Sequence, residues 1–349
     1  MNEKNFPEKI SFTLTNSCNC RCWMCGQWSK KGYIKNSTKK SSLFMNIFDW
    51  KKVTDEISNH SINSILLRGG EPFLYPHFLE LLEYIRSKNI FVSIDTNGTK
   101  LKEFAEYIVK FKDIHLTISV DGPEEIHDKV RGFKGCFKLL KEGLDELQKF
   151  EDKYNKRISR SINFTITPYS LKGLGSMPDV AKQLHIDKIC IMPYYFFTQK
   201  MGEKYENELS SVFNLQAYSW KGFWHEKSMI DITEFDIQYK IYLKRLEYIT
   251  DVQFMPLSID EFHMWFKDPE IKVLPDICMN VEKLLDIQPD GSMNFCVDFP
   301  DYVFGNAKID TIEYAWNNKK AQLFREYRRK KILPVCLRCG AKYMSVFKS

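Results

Sequence analysis

Along the first two hundred positions, short apolar runs alternate with longer stretches of helical spacing. The runs lie at 9-15 (KISFTLT), 62-68 (INSILLR), 90-95 (IFVSID), 113-120 (DIHLTISV), 158-166 (ISRSINFTI) and 186-193 (IDKICIMP). They read as apolar on both faces, which is what strands covered by helices require. Amphipathic segments near 47-59, 76-88, 100-110, 134-150 and 174-184 separate them. Each is long enough to serve as a right-handed crossover between parallel strands. The pattern predicts an α/β chain whose residues 1-194 form a β/α sheet or partial barrel.

From 195 to 275 the alternation stops and aromatics crowd together around Tyr195, Phe196, Phe197, Trp220, Phe223, Trp224, Trp265 and Phe266. A helix near 233-249 carries apolar residues at helical spacing, so most of these rings are expected in the core of a connecting or substrate region. Residues 276-349 read as a smaller unit. There Pro289-Asp290-Gly291 and Gly305-Asn306 mark a hairpin-like segment before a basic helix at 315-331. Residues 30-42 are basic and unpatterned, as a solvated loop is.

Composition narrows the class. With 349 residues, 44% of them hydrophobic, the chain can bury a sizeable core. Charged residues make up 28%, and no apolar run approaches the ~20 residues that cross a bilayer. The start Met-Asn-Glu-Lys-Asn-Phe-Pro lacks a signal-peptide pattern, so a cytoplasmic protein with no membrane partner is expected. A net charge of +6 favours anionic partners weakly and is far from a nucleic-acid signature.

Ten cysteines in a reducing compartment point to metal or redox chemistry. Cys18, Cys22 and Cys25 follow the first strand as C-x3-C-x2-C, with Cys20 spare among them. Three such thiolates can hold three irons of a cubane and leave the fourth open. A closed zinc site would want a fourth ligand, and apart from Cys20 no Cys or His follows before His60. In the terminal unit Cys278, Cys296, Cys336 and Cys339 can fill all four positions of a second cluster, or bind zinc as four thiolates. Cys136 begins a helix and reads as a buried small residue. Cys190 shares a strand face with Lys188, Met192 and Tyr194; it is either a plain buried thiol or a hydrogen-atom donor beside a substrate.

The cysteine triplet, followed by Gly69-Gly70-Glu71-Pro72 after the second strand, resembles the radical S-adenosylmethionine (SAM) enzymes. Thr96-Asn97-Gly98, Ser119-Val120-Asp121-Gly122-Pro123 and Arg131-Gly132 extend the likeness. They place it in the branch with a C-terminal SPASM domain or its shortened twitch form. The resemblance implies a partial (β/α)6 barrel of the radical SAM type followed by a twitch/SPASM-like auxiliary domain. It implies SAM and two 4Fe-4S clusters as cofactors, one on Cys18, Cys22 and Cys25 and one on Cys278, Cys296, Cys336 and Cys339. SAM would lie against the backbone of Gly69, Gly70 and Glu71, with Ser119 at its ribose and Arg131 at its carboxylate. A flavodoxin or ferredoxin would supply electrons.

The four-cysteine arrangement resembles that of the 2-deoxy-scyllo-inosamine dehydrogenases. The expected activity is therefore dehydrogenation of a hydroxyl-bearing sugar or cyclitol, a small molecule that is anionic or nucleotide-linked. Asp298, two residues past Cys296, would take the hydroxyl proton or, alternatively, only make a turn or supporting hydrogen bond near the cluster. Epimerisation quenched by Cys190 is one alternative, and cross-linking or epimerisation of a ribosomally made peptide is another.

Overall fold

In the computed structural model, the described residues are 6–37, 44–246, 249, 251–254, 257–273 and 278–340. The strands and helices run β1 (Lys9–Thr13), α1 (Ile47–Asn59), β2 (Ser64–Arg68), α2 (Phe78–Ser87), β3 (Phe91–Thr96), α3 (Leu101–Lys110), β4 (Ile114–Ser119), α4 (Glu124–Arg131), α5 (Cys136–Tyr154), β5 (Ser159–Ile166), α6 (Met177–Gln183) and β6 (Lys188–Pro193). Then come α7 (Gln199–Phe213), α8 (Ile232–Lys244), β7 (Asp251–Phe254), α9 (Ile259–Lys267), α10 (Asn280–Lys283), β8 (Leu284–Ile287), β9 (Ser292–Asn294), β10 (Gly305–Asn306), α11 (Ile312–Asn317) and α12 (Lys319–Lys330).

All six expected strands are present and pair in parallel in chain order, so the α/β reading and the partial barrel stand. Helix α3 illustrates why the crossovers form. Leu101, Ala105, Ile108 and Val109 recur at helical spacing and are fully buried. They pack with α5, where a Cβ on Gly143 would stand 2.8 Å from Leu101 Cβ.

Two features depart from the sequence reading. Alternation does not stop at residue 195: β7 adds a further parallel strand beside β6. At the other edge β8 pairs in parallel with β1, and β9 and β10 follow antiparallel. The order is therefore β10-β9-β8-β1-β2-β3-β4-β5-β6-β7, one sheet shared by the N-terminal and C-terminal segments.

The strands are also not apolar on both faces. Phe12, Leu67, Val92, Ile94, Leu116, Ile118, Ile162, Phe164, Ile189 and Ile191 are buried on one face. Between them alternate Ser11, Thr13, Arg68, Ser93, Asp95, Thr117, Ser119, Ser161, Asn163 and Cys190. The sheet thus presents a polar face, on which Ser119, Asn163 and Cys190 stand in one register row. Asp301 fastens the aromatic segment to the C-terminal unit, accepting from Tyr205 Oη at 3.0 Å, from the Tyr218 N–H at 2.9 Å and from the Ser219 hydroxyl.

Candidate active site

The loop after β1 carries Cys18, Cys22 and Cys25, all half-buried. Three of the motifs singled out in the sequence grip this loop. On one side, Gly70 N–H donates to Thr15 O at 2.7 Å and Glu71 N–H to Ser17 O at 2.8 Å. The two glycines are needed for that approach: a Cβ on Gly69 would stand 2.5 Å from Thr15 O, and one on Gly70 would stand 2.2 Å from Ser17 O. On the other side, Arg21 N–H donates to Arg131 O at 2.8 Å and Trp23 N–H to Val130 O at 3.0 Å. Gly132 ends α4 in the left-handed conformation, φ 59°, where a Cβ would meet Arg21 O at 2.6 Å.

A third clamp comes from the end of β3. Asn97 Nδ2 donates to Asn19 Oδ1 at 2.9 Å, and Asn19 Nδ2 donates to Thr99 Oγ1 at 2.7 Å. Glu71, fully buried, holds this turn in place by accepting from Thr96 Oγ1 and the Asn97 N–H, each at 2.8 Å. Burial raises its carboxyl to about 7 against the pull of those donors.

The sulfurs already have hydrogen-bond donors. Cys20 N–H points at Cys18 Sγ at 3.4 Å, Trp28 N–H at Cys25 Sγ at 3.4 Å, and Arg131 Nη1 at Cys22 Sγ at 3.6 Å. Such donors favour thiolate over thiol, but at Cys25 burial outweighs them and pushes the thiol up to about 12. The Cys20 thiol, and then the Arg131 charge, lower Cys22 to about 6 although burial opposes this. Arg131 is not at the surface: its Nε lies 2.6 Å from Asp121 Oδ2, and the Asp121 side chain is fully buried. Cys20 is buried with its sulfur 3.9 Å from that of Cys136, so these two pack against each other behind the loop.

The C-terminal cysteines follow the same principle. Phe299 N–H points at Cys296 Sγ at 3.3 Å, and Arg328 Nη2 points at Cys336 Sγ at 3.5 Å. Arg328 is buried and feels the charges of Cys336, Cys278 and Cys296, while Cys296 feels those of Cys339 and Cys336, so the four residues form one group. Among the described residues, no three His, Cys, Asp or Glu side chains converge closely enough to hold a single metal ion. The donor chemistry of both groups fits iron-sulfur clusters.

Asp298 lies where the two halves meet. It shares a charge cluster with Arg68 and Asp286, and Arg68 also feels Asp95. Burial raises the Asp298 carboxyl, with Arg68 lowering it in part. Burial likewise pushes the Cys190 thiol up to about 11. Sequence reasoning missed Arg68, Asp95, Asp286, Arg328 and Asp301. The signal that marks Arg68 and Asp95 is a charge set inside an otherwise apolar strand.

Residues 12–154 match the family model of the radical SAM superfamily, and residues 278–340 match the iron-sulfur cluster-binding SPASM domain. This is a radical SAM protein with a C-terminal SPASM domain. Its cofactors are SAM and a 4Fe-4S cluster in the first domain and auxiliary iron-sulfur chemistry in the second. The radical SAM protein is 28% identical over 202 residues to Fe-coproporphyrin III synthase of Methanosarcina barkeri, covering 57% of this chain and 46% of the relative. It is 33% identical over 139 residues to the antilisterial bacteriocin subtilosin biosynthesis protein AlbA of Bacillus subtilis, covering 39% and 29%. The chain spans about half the length of the first of these relatives or less. In fold it is similar to Streptococcus suis SuiB bound to precursor peptide SuiA, with a TM-score of 0.64 and 15% identity over 100% of this chain and 75% of that one. Among the described residues no helix is long and apolar enough to cross a membrane.

Proposed function

We propose that this radical SAM protein modifies a peptide. The observation that carries the reading is its 33% identity to AlbA, a bacteriocin biosynthesis protein. The whole-chain likeness in fold to SuiB, a protein whose structure holds a precursor peptide, supports it. The expected oxidation of a sugar or cyclitol has no counterpart in the names of the relatives above. A tetrapyrrole substrate is the second reading, favoured by the identity to Fe-coproporphyrin III synthase.

Cys18, Cys22 and Cys25 hold the SAM-binding cluster in this reading, and Cys278, Cys296, Cys336 and Cys339 hold one auxiliary cluster. Bound there, SAM supplies a 5'-deoxyadenosyl radical able to take a hydrogen atom from an unactivated C–H bond. Carbonyl oxygens of the Gly69-Gly70-Glu71 turn would accept from the SAM amino group, while the Gly70 and Glu71 N–H groups hold the loop. Arg131, beside Cys22, would hold the SAM carboxylate, and Ser119 would meet the ribose. The polar sheet face orients the substrate. Asp298 accepts a proton where the outcome is oxidative cross-linking. Cys190, protonated at neutral pH, donates a hydrogen atom where the outcome is epimerisation.

The test is anaerobic turnover with SAM, a reductant and peptide, tetrapyrrole and aminocyclitol panels, read by mass spectrometry in deuterated water. A peptide lighter by two hydrogens indicates cross-linking, and one solvent deuteron at a residue indicates epimerisation. Product from the tetrapyrrole or aminocyclitol panel alone overturns the peptide reading.

A further inference from the structure

Between the cysteine loop and the aromatic segment lies a groove that the chemistry above does not use. It encloses about 480 Å³ and is lined by Lys30, Lys31, Tyr218, Trp220, Lys221 and Trp224 among others, with no carboxylate in its lining. Its two walls meet in direct contact. Ser29 Oγ donates to Gly222 O at 3.2 Å, and a Cβ on Gly222 would stand 1.9 Å from Gly26 O. Only glycine fits at that contact.

The groove pairs cations with rings. Lys31 Nζ sits 3.5 Å from the Trp224 ring centroid, and Trp220 Nε1 is anchored on Glu206 at 2.9 Å. Glu206 also neutralises Lys221 at 3.3 Å, and exposed Glu226 accepts from Trp224 Nε1, so the positive excess that remains rests on exposed Lys30 and Lys31 less that one carboxylate. The inner wall is Tyr33, whose ring lies 5.7 Å from that of Tyr218. Tyr33 also feels the charges of Cys25 and Asp298, so the groove adjoins the candidate active site.

We propose that this groove binds an acidic stretch of the peptide substrate, anchoring the chain while a neighbouring residue enters the barrel. The inference rests on the peptide-modifying reading above. Lysine ammoniums pair with single carboxylates as point charges, and no arginine fork for bidentate recognition lines the groove. Tryptophan and tyrosine faces give a peptide large contact area at little entropic cost.

The experiment uses the reconstituted full chain and fluorescence anisotropy. The probes are a labelled peptide of alternating Glu and Leu, the same peptide with Gln for Glu, and a labelled oligouridine. Acidic-probe binding is expected to be roughly tenfold tighter than Gln-probe binding and to weaken with salt. The double variant Lys30→Gln/Lys31→Gln should lose roughly tenfold in acidic-probe affinity while cleaving SAM at the wild-type rate. Equal binding of the two peptides, an unaffected double variant, or tighter binding of the oligouridine overturns the proposal. Lysine-dependent binding without any peptide product keeps the groove and removes the peptide-modifying reading. Products from neutral peptides, indifferent to the lysine changes, do the reverse.

Discussion

Glu71 accepts the backbone N–H of Asn97 at 2.8 Å, tying the turn after β2 to the turn after β3 above the cysteine loop. Burial raises the carboxyl from its ordinary 4.5 to about 7, so the folded protein binds this proton more tightly than the unfolded chain. A raised pKa contributes stability that is present below 4.5 and lost as pH rises through about 7. Between about pH 6 and pH 7, wild-type protein should lose about 1 kcal/mol through this group. Glu71→Gln should flatten that slope. Denaturant unfolding at both pH values under anaerobic conditions checks it, and an identical slope in the variant counts against it.

Gly70→Ala drives a Cβ to 2.2 Å from Ser17 O, where backbone rather than a flexible side chain must yield. The cysteine loop should be displaced, at a cost of roughly 2 kcal/mol or more. Reconstituted wild type should hold roughly eight irons and the variant about half, with the C-terminal cluster signal intact. Full iron content in Gly70→Ala would show that the clamp is dispensable.

Arg131→Ala leaves Asp121 buried without its counter-charge, which should cost roughly 3–5 kcal/mol. Arg131→Met with Asp121→Leu should recover most of that stability, because both charges leave together. SAM affinity separates the two roles of Arg131. If it holds the SAM carboxylate, both variants bind SAM at least roughly tenfold more weakly. Wild-type affinity in the double variant would make Arg131 purely structural.

The guanidinium of Arg328 donates to Cys336 Sγ at 3.5 Å and carries positive charge beside the C-terminal thiolates. Arg328→Gln should shift the auxiliary cluster to a more negative reduction potential, since both a donor and a charge are lost. Anaerobic redox titration followed by EPR reads the shift. An unchanged potential would place Arg328 outside the control of the cluster.

The succession of short apolar runs and helical segments made the six parallel strands legible, while the polar positions that alternate within them were read as part of two apolar faces. β7 escaped because Asp251–Phe254 is four residues with no flanking signal, and it forms only through pairing with β6. The junction of β8 with β1 joins residues some 275 positions apart, which no local pattern encodes. The cysteines and glycine motifs were legible as chemistry. Their first task in the structure was not: Gly70, Glu71, Asn97 and Arg131 each hold the cysteine loop, and the glycines avoid backbone rather than a ligand. Asp301 was silent because its partners Tyr205 and Ser219 are distant in sequence, and Arg328 because it is one of several basic residues at the end of α12 and nothing local marks it as the one turned toward Cys336.

The central claim is that the Cys18, Cys22 and Cys25 loop supports reductive cleavage of SAM. Chromatographic quantification of 5'-deoxyadenosine from anaerobically reconstituted, dithionite-reduced protein tests it most directly. Wild type should release 5'-deoxyadenosine and methionine in equal amounts, and Cys22→Ala should release none while retaining the C-terminal cluster. Undiminished release from Cys22→Ala, or none from fully iron-loaded wild type, would contradict the claim.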